Sequence, residues 1–247
     1  MRWPRVREIF RKDFQELRSN RSVFATLFVL PVILTAESIV TVWAEGSALT
    51  PGSSDAAATL ARSASFGFDL LLIIPLLTAV TIGATSIVQE KTNRSLEPLL
   101  ATPITDSELL LGKALTPLIP GVLAVWVCYA VEFVAIDLIA GPIVGGLIVP
   151  TALAVYQMVL LAPALGLLGT LAILVVSSWA KDSRAAQQMS TFVVLPVLVA
   201  VLAVFIFLPT TVWVVGAFTV ALAAAIACLA WLAVRRFDRP SILISWR

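Results

Sequence analysis

Three carboxylates, Glu37, Asp69 and Glu132, stand inside long runs of apolar residues. An ionisable group within such a run is costly to keep there, so each is a candidate for a path or a gate that handles charge. The positions leave a second reading open. All three fall toward one edge of their runs, with Asp137 just beyond, and a carboxylate at that edge can simply be solvated. Acting together, they would attract a cation.

The rest of the inventory excludes chemistry. The chain has no histidine, which removes the commonest general base and metal ligand. Its two cysteines, Cys128 and Cys228, sit far apart in apolar runs without partners at metal-ligand spacing, and are expected to be small buried hydrophobes. No Gly-x-x-x-x-Gly-Lys-Ser/Thr loop is present to cradle a phosphate; Gly141–Leu147, "GPIVGGL", has the glycines without the lysine or hydroxyl. The expectation is therefore no catalytic residue, no metal and no cofactor on this chain, and no nucleic acid among its partners. Any ATP must be bound by another polypeptide.

The elements that position the three acids follow from composition. Of 247 residues, 60% are hydrophobic and 13% charged, where a soluble domain has about 45–50% and about 25%. A helix needs about 20 apolar residues to cross a bilayer. Six segments qualify, at approximately 22–42, 66–88, 109–136, 149–177, 189–208 and 212–234. The chain reads as an all-α integral membrane protein, with a six-helix bundle over 22–234 and a basic tail over 235–247. The Ser/Ala/Gly-rich stretch 43–65 reads as a flexible or partly helical cap. A charged start before an apolar run also fits a signal peptide, but the run is as long as a full span, which favours a retained helix.

Charge gives the orientation. Six spans leave both ends on one side, and all but one of the 17 Lys and Arg fall on that side, Arg62 being the exception. The positive-inside rule places both termini in the cytoplasm. Trp43, Trp126, Tyr129, Tyr156 and Trp213 then form an outer aromatic belt, and Trp179, Trp231 and Trp246 an inner one.

Residues 1–21 carry an amphipathic helix. Val6, Ile9, Phe10, Phe14 and Leu17 share one face, with Arg7, Arg11 and Arg18 on the other. Such a helix lies in the headgroup plane with its apolar face down, anchoring the chain to membrane lipids. Its exposed face is also placed to touch a cytoplasmic partner.

Between the second and third spans runs "QEKTNRSLEPLLATPITDSELLLGK". Ser95 can cap a short helix whose first turn holds Pro98, and Leu96, Leu99 and Leu100 give it an apolar face. Thr102 precedes Pro103, which ends that helix. Thr105 and Glu108 then form a Thr-x-x-Glu capping box that opens the third span. A separate capped helix with leucines on one face is more than a connector needs, and fits a groove on a partner.

This loop resembles the signature of the ABC-2-type transporter permeases. Glu90, Lys91, Leu96, Glu97, Leu99, Leu100, Thr102, Pro103, Leu111, Gly112 and Lys113 occupy matching positions, and Asn93-Arg94 departs from the small-residue pair often found there. "KDFQELRSNRSVFATLFVLPVIL" and "SSWAKDSRAAQQMSTFVVLPVL" are also similar to the family, so the likeness covers nearly the whole chain. The resemblance implies the membrane subunit of an exporter, working as a homodimer or with a close paralogue. Separate ABC ATPase (nucleotide-binding) subunits would bind ATP and magnesium. Residues 95–101 would be the coupling helix, with Glu90, Lys91, Ser95, Leu96, Glu97, Leu99, Leu100, Thr102 and Pro103 as contacts, and 5–18 the connecting helix. The implied location is the plasma membrane of a prokaryote, as a multi-pass protein. Three other classes remain beside it: a stand-alone secondary transporter or channel, a membrane-embedded enzyme, and a permease-like subunit serving maturation. Drug, lipid, polysaccharide and ion all stay open as cargo.

Overall fold

A computed structural model describes residues 2–53, 55–92, 105–177, 183–207 and 212–236. The described residues are almost entirely helical. Helix α1 (Trp3–Ser19) precedes α2 (Arg21–Ala48), α3 (Ala56–Leu71), α4 (Ile73–Thr92) and α5 (Asp106–Val144). Then come α6 (Ala152–Tyr156), a π-helical turn (Gln157–Leu161), α7 (Ala162–Ser177), α8 (Ser183–Phe207) and α9 (Val212–Arg236). Six spans result: α2, α3 with α4, α5, α6 through α7, α8, and α9.

Lipid explains why nothing but helix is used. Hydrocarbon offers no water to backbone N–H and C=O groups, so each segment must satisfy its own. Lipid tails are as apolar as leucine, so the bundle is held by close packing and internal polar contacts. The second and fourth spans form its centre, and Leu71, Leu72, Ile74, Leu76, Leu161, Leu165 and Leu168 are fully buried. The other spans wrap around them and turn large apolar side chains outward, among them Val32, Ile33, Leu123, Phe192 and Trp213. At Gly169 of α7, an added Cβ would meet the Leu76 carbonyl oxygen at 2.9 Å and Ala79 Cβ at 3.0 Å. Only a glycine lets α4 and α7 come this close.

Several expectations change. The stretch 43–65 is mostly helix: α2 runs on to Ala48 and α3 begins at Ala56. The second span is also broken, at Leu72, because Pro75 in the first turn of α4 has no N–H to continue the ladder. The third helix continues to Val144, where Gly145 ends it at φ 79°. Tyr129 does not lie in an aromatic belt; it is fully buried and donates to the Phe68 carbonyl at 3.0 Å. Cys128 is buried as expected, whereas Cys228 is exposed on α9.

Candidate functional site

Two places in the fold concentrate polar side chains in apolar surroundings. The first is the junction of α1 with the start of α5. The predicted capping box is present: the Thr105 hydroxyl accepts from Glu108 N at 3.4 Å, and Glu108 Oε2 accepts from Thr105 N at 3.2 Å. Glu108 also reaches α1. Its Oε1 accepts from the Arg2 backbone N–H at 2.6 Å, and Arg5 Nη1 lies 3.6 Å from Oε2. Those backbone hydrogen bonds, from Arg2 and then Thr105, hold the Glu108 carboxyl below its ordinary range, with Arg5 adding to the effect.

One turn further along α5, an added Cβ at Gly112 would meet Ile9 Cγ2 at 2.7 Å, so α1 crosses α5 there in direct contact. The next residue, Lys113, is 3% exposed and forms an ion pair with Asp13, itself 2% exposed, at 3.6 Å. The Gly112-Lys113 step therefore has a structural meaning: the glycine admits α1 and the lysine neutralises a buried acid on it.

This revises the amphipathic reading. The buried face of α1 is Val6, Ile9, Asp13 and Leu17. It packs on the bundle: Leu17 lies with Leu27 of α2 and Ile82 of α4. Phe10 and Phe14 are half-buried beside that face and stacked at 5.8 Å. Arg7, Arg11 and Arg18 are exposed. Asp13 was missed by the pattern, although it falls at the centre of the apolar stripe on a 3.6-residue helix.

The second place is the middle of the bundle, around the three candidate acids. Glu37 is exposed on α2 and accepts from the Thr41 hydroxyl at 3.3 Å. Asp69 is buried and accepts from Gln157 Nε2 at 2.6 Å. Glu132 is fully buried, and the polar group facing its carboxylate from α2 is the Ser38 hydroxyl. Both lie against Gly67, where Glu132 Oε2 comes within 3.5 Å of an added Cβ and leaves no room for a side chain. A solvated edge thus describes Glu37 and not Asp69 or Glu132. Asp137 is structural, its Oδ1 accepting from Ile148 N at 3.0 Å and Val149 N at 3.2 Å.

Asp69 and Gln157 meet where two spans are irregular. Asp69 sits in the last turn of α3, just before the break, and Gln157 opens the π turn. In π register the Met158 carbonyl would accept from residue 163, which is Pro163 and has no N–H. Trp126 Nε1 supplies the donor instead, at 2.8 Å. Pro163 was a visible signal for this turn; Trp126 as its partner was not.

Of the predicted docking residues, Glu90 and Lys91 lie in the last turn of α4. Ser95, Leu96, Glu97, Leu99, Leu100, Thr102 and Pro103, and with them the short helix 95–101, lie outside the described residues. So does most of the basic tail, 237–247. No cluster of three or more metal-ligating side chains occurs among the described residues.

The spans, the capped entry to α5 and the Gly-Lys step that follows agree with the comparison to known families. The description "ABC-2 family transporter protein" matches residues 7–211. The chain belongs to the ABC-2 family of transporter proteins. No curated protein matches it. As an ABC-2 member it is a multi-pass membrane component of transport and not itself a catalyst, and the family associates in general with ABC ATPase subunits. The matched region runs from α1 to the end of α8, leaving α9 outside it.

Two outcomes are expected at the α1–α5 junction. Lys113→Met leaves Asp13 as a buried charge without its counter-ion, a loss of about 3–5 kcal/mol when a buried pair is broken from one side. Asp13→Asn with Lys113→Met should regain most of the melting temperature measured in detergent; a double variant no better than the single one would refute the pairing. Secondly, because docking holds Glu108 below the ordinary range, its contribution is complete above that range and is lost as pH falls through the lowered value. Amide exchange in α1 should rise on such acidification, and Glu108→Gln should flatten that response.

Proposed function

We propose that this chain is the transmembrane permease subunit of an ATP-driven exporter, in the plasma membrane of a prokaryote. Two such subunits, identical or closely paralogous, form the path. ABC ATPase subunits carrying ATP and magnesium dock from the cytoplasm on the loop between the second and third spans. Short helix 95–101 is the coupling helix, with Leu96, Leu99 and Leu100 in the ATPase groove and Glu90, Lys91, Ser95, Glu97, Thr102 and Pro103 shaping its contacts. Glu132 and Asp69, with Glu37 at the rim, serve the path or its gate.

The observation that carries this reading is the landing point of that loop. It enters α5 at the Thr105–Glu108 capping box, and the same Glu108 holds the start of α1. Five residues on, Lys113 holds Asp13. A push on the loop therefore moves α1 and α5 as one body, and α1 in turn leans on α2 and α4 through Leu17, Leu27 and Ile82. Coupling requires such a rigid connection.

One observation favours a second reading, a secondary transporter or channel acting alone. The break at Leu72 faces the π turn across Asp69 and Gln157, and interrupted helices around a charged centre are the usual construction of such proteins. The two readings differ in their dependence on the loop.

In proteoliposomes containing the co-purifying ATPase, Leu99→Asp with Leu100→Asp should lower ATP-driven transport at least about tenfold, the equivalent of about 1.4 kcal/mol of coupling. The melting temperature should stay unchanged. Full coupled transport in that variant would remove the docking role. Glu132→Gln should assemble normally and slow transport; an unchanged rate would make that acid a packing feature.

A further inference from the structure

We propose that the groove between α1 and α5 is a binding site for one anionic phospholipid. The groove has a volume of about 660 Å³ and is lined by Trp3, Arg7, Glu8, Phe10 and Arg11 of α1 and by Leu115 and Ile119 of α5, so two cations and one carboxylate face it. Its two walls differ in kind. Arg7 and Arg11 are four residues apart on one side of α1, and both are exposed. Neither has an acidic partner among the described residues, whereas Arg5 is held by Glu108 and Lys12 by Glu16 at 3.7 Å. The opposite wall belongs to the membrane. The apolar span of α5 begins at Leu111, so Leu115 and Ile119 lie about 6 and about 12 Å along it at 1.5 Å per residue.

An occupant that fills this groove must be anionic at one end and apolar at the other. A guanidinium pair with free donors matches the oxygens of a phosphodiester, in a planar geometry that an ammonium lacks. Leu115 and Ile119 accept only hydrocarbon. Trp3, 69% exposed at the mouth, has the amphipathic ring found at headgroup level. A soluble anion uses the arginines and leaves the apolar wall bare. A water-soluble protein segment cannot follow that wall into the bilayer. The cytoplasmic leaflet, where the charge distribution puts this end of the bundle, is also the one that supplies anionic lipid. Seated there, the lipid bridges α1 to α5 beside the Ile9–Gly112 contact and reinforces that junction. This assignment does not depend on what the protein transports.

The test uses the full-length chain in neutral detergent, titrated with phosphatidylglycerol or phosphatidylcholine and read by native mass spectrometry and thermal melting. One phosphatidylglycerol should be retained per chain, raising the melting temperature by several degrees where phosphatidylcholine does not. Arg7→Gln with Arg11→Gln should reduce the retained lipid at least about tenfold, as loss of one strong charge-assisted contact would. Arg18→Gln, an exposed cation outside the groove, should leave it unchanged. Equal loss in the Arg18 variant would mean general surface attraction and would overturn the site. Equal stabilisation by inorganic phosphate would make the occupant a soluble anion and overturn it as well. If the double variant melts early even without lipid, Ile119→Trp, which fills the apolar wall, supplies the second reading: undiminished retention there would count against the groove.

Discussion

Asp13 and Lys113 are both sealed from solvent, and they lie 3.6 Å apart as an ion pair. Desolvating two ions is expensive, so such a pair adds little stability over an apolar contact of the same shape. What it does supply is a large penalty for any arrangement that separates them. Here it fixes where α1 crosses α5, to within the contact of Ile9 with Gly112. Glu108 fixes the other end of the crossing by joining the start of α1 to the cap of α5. An amphipathic helix held only by lipid could slide and roll on the membrane. This one is registered to a particular turn of a particular span, and that turn is where the loop between the second and third spans arrives.

The same economy governs the middle of the bundle. In hydrocarbon, each departure from regular helix leaves a polar group that must be met from within. Pro75 breaks the second span and Pro163 disturbs the fourth, and the released capacity is answered by Trp126 on the Met158 carbonyl. Asp69 and Gln157 bridge the two irregular segments. Glu132 is the extreme case, a fully buried carboxyl inside a span that faces the Ser38 hydroxyl and has no cation in an ion pair with it among the described residues. Its burial, against the exposure of Glu37, is why the proposal puts Glu132 first among the three acids.

Much of this was legible in the sequence where the cause is local. Span number follows from the length of apolar runs, and the entry to α5 from Thr105 and Glu108 alone. The amphipathic start is visible too, but not that its apolar stripe packs on the bundle. Five apolar residues on a surface helix fit lipid as well as protein, and only Asp13 at the centre of the stripe favours protein. Its partner is 100 residues away, and no spacing rule joins them. The helical continuations into 43–65 are one of two readings of that stretch, because its alanines favour helix while its Ser and Gly favour turns. Membership of the ABC-2 family came from the central loop, whose own residues 93–104 lie outside the described structure. Its function therefore rests on motif and on where it lands.

As proposed, this bundle works as the membrane half of an ATP-driven machine. The most direct measurement is a gentle affinity purification of the tagged chain from native membranes, with its companions identified and quantified. The account predicts an ATPase bearing a phosphate-binding loop, recovered in about equal amount. A chain that purifies alone, as monomer or dimer, would contradict it and move the stand-alone transporter to the front.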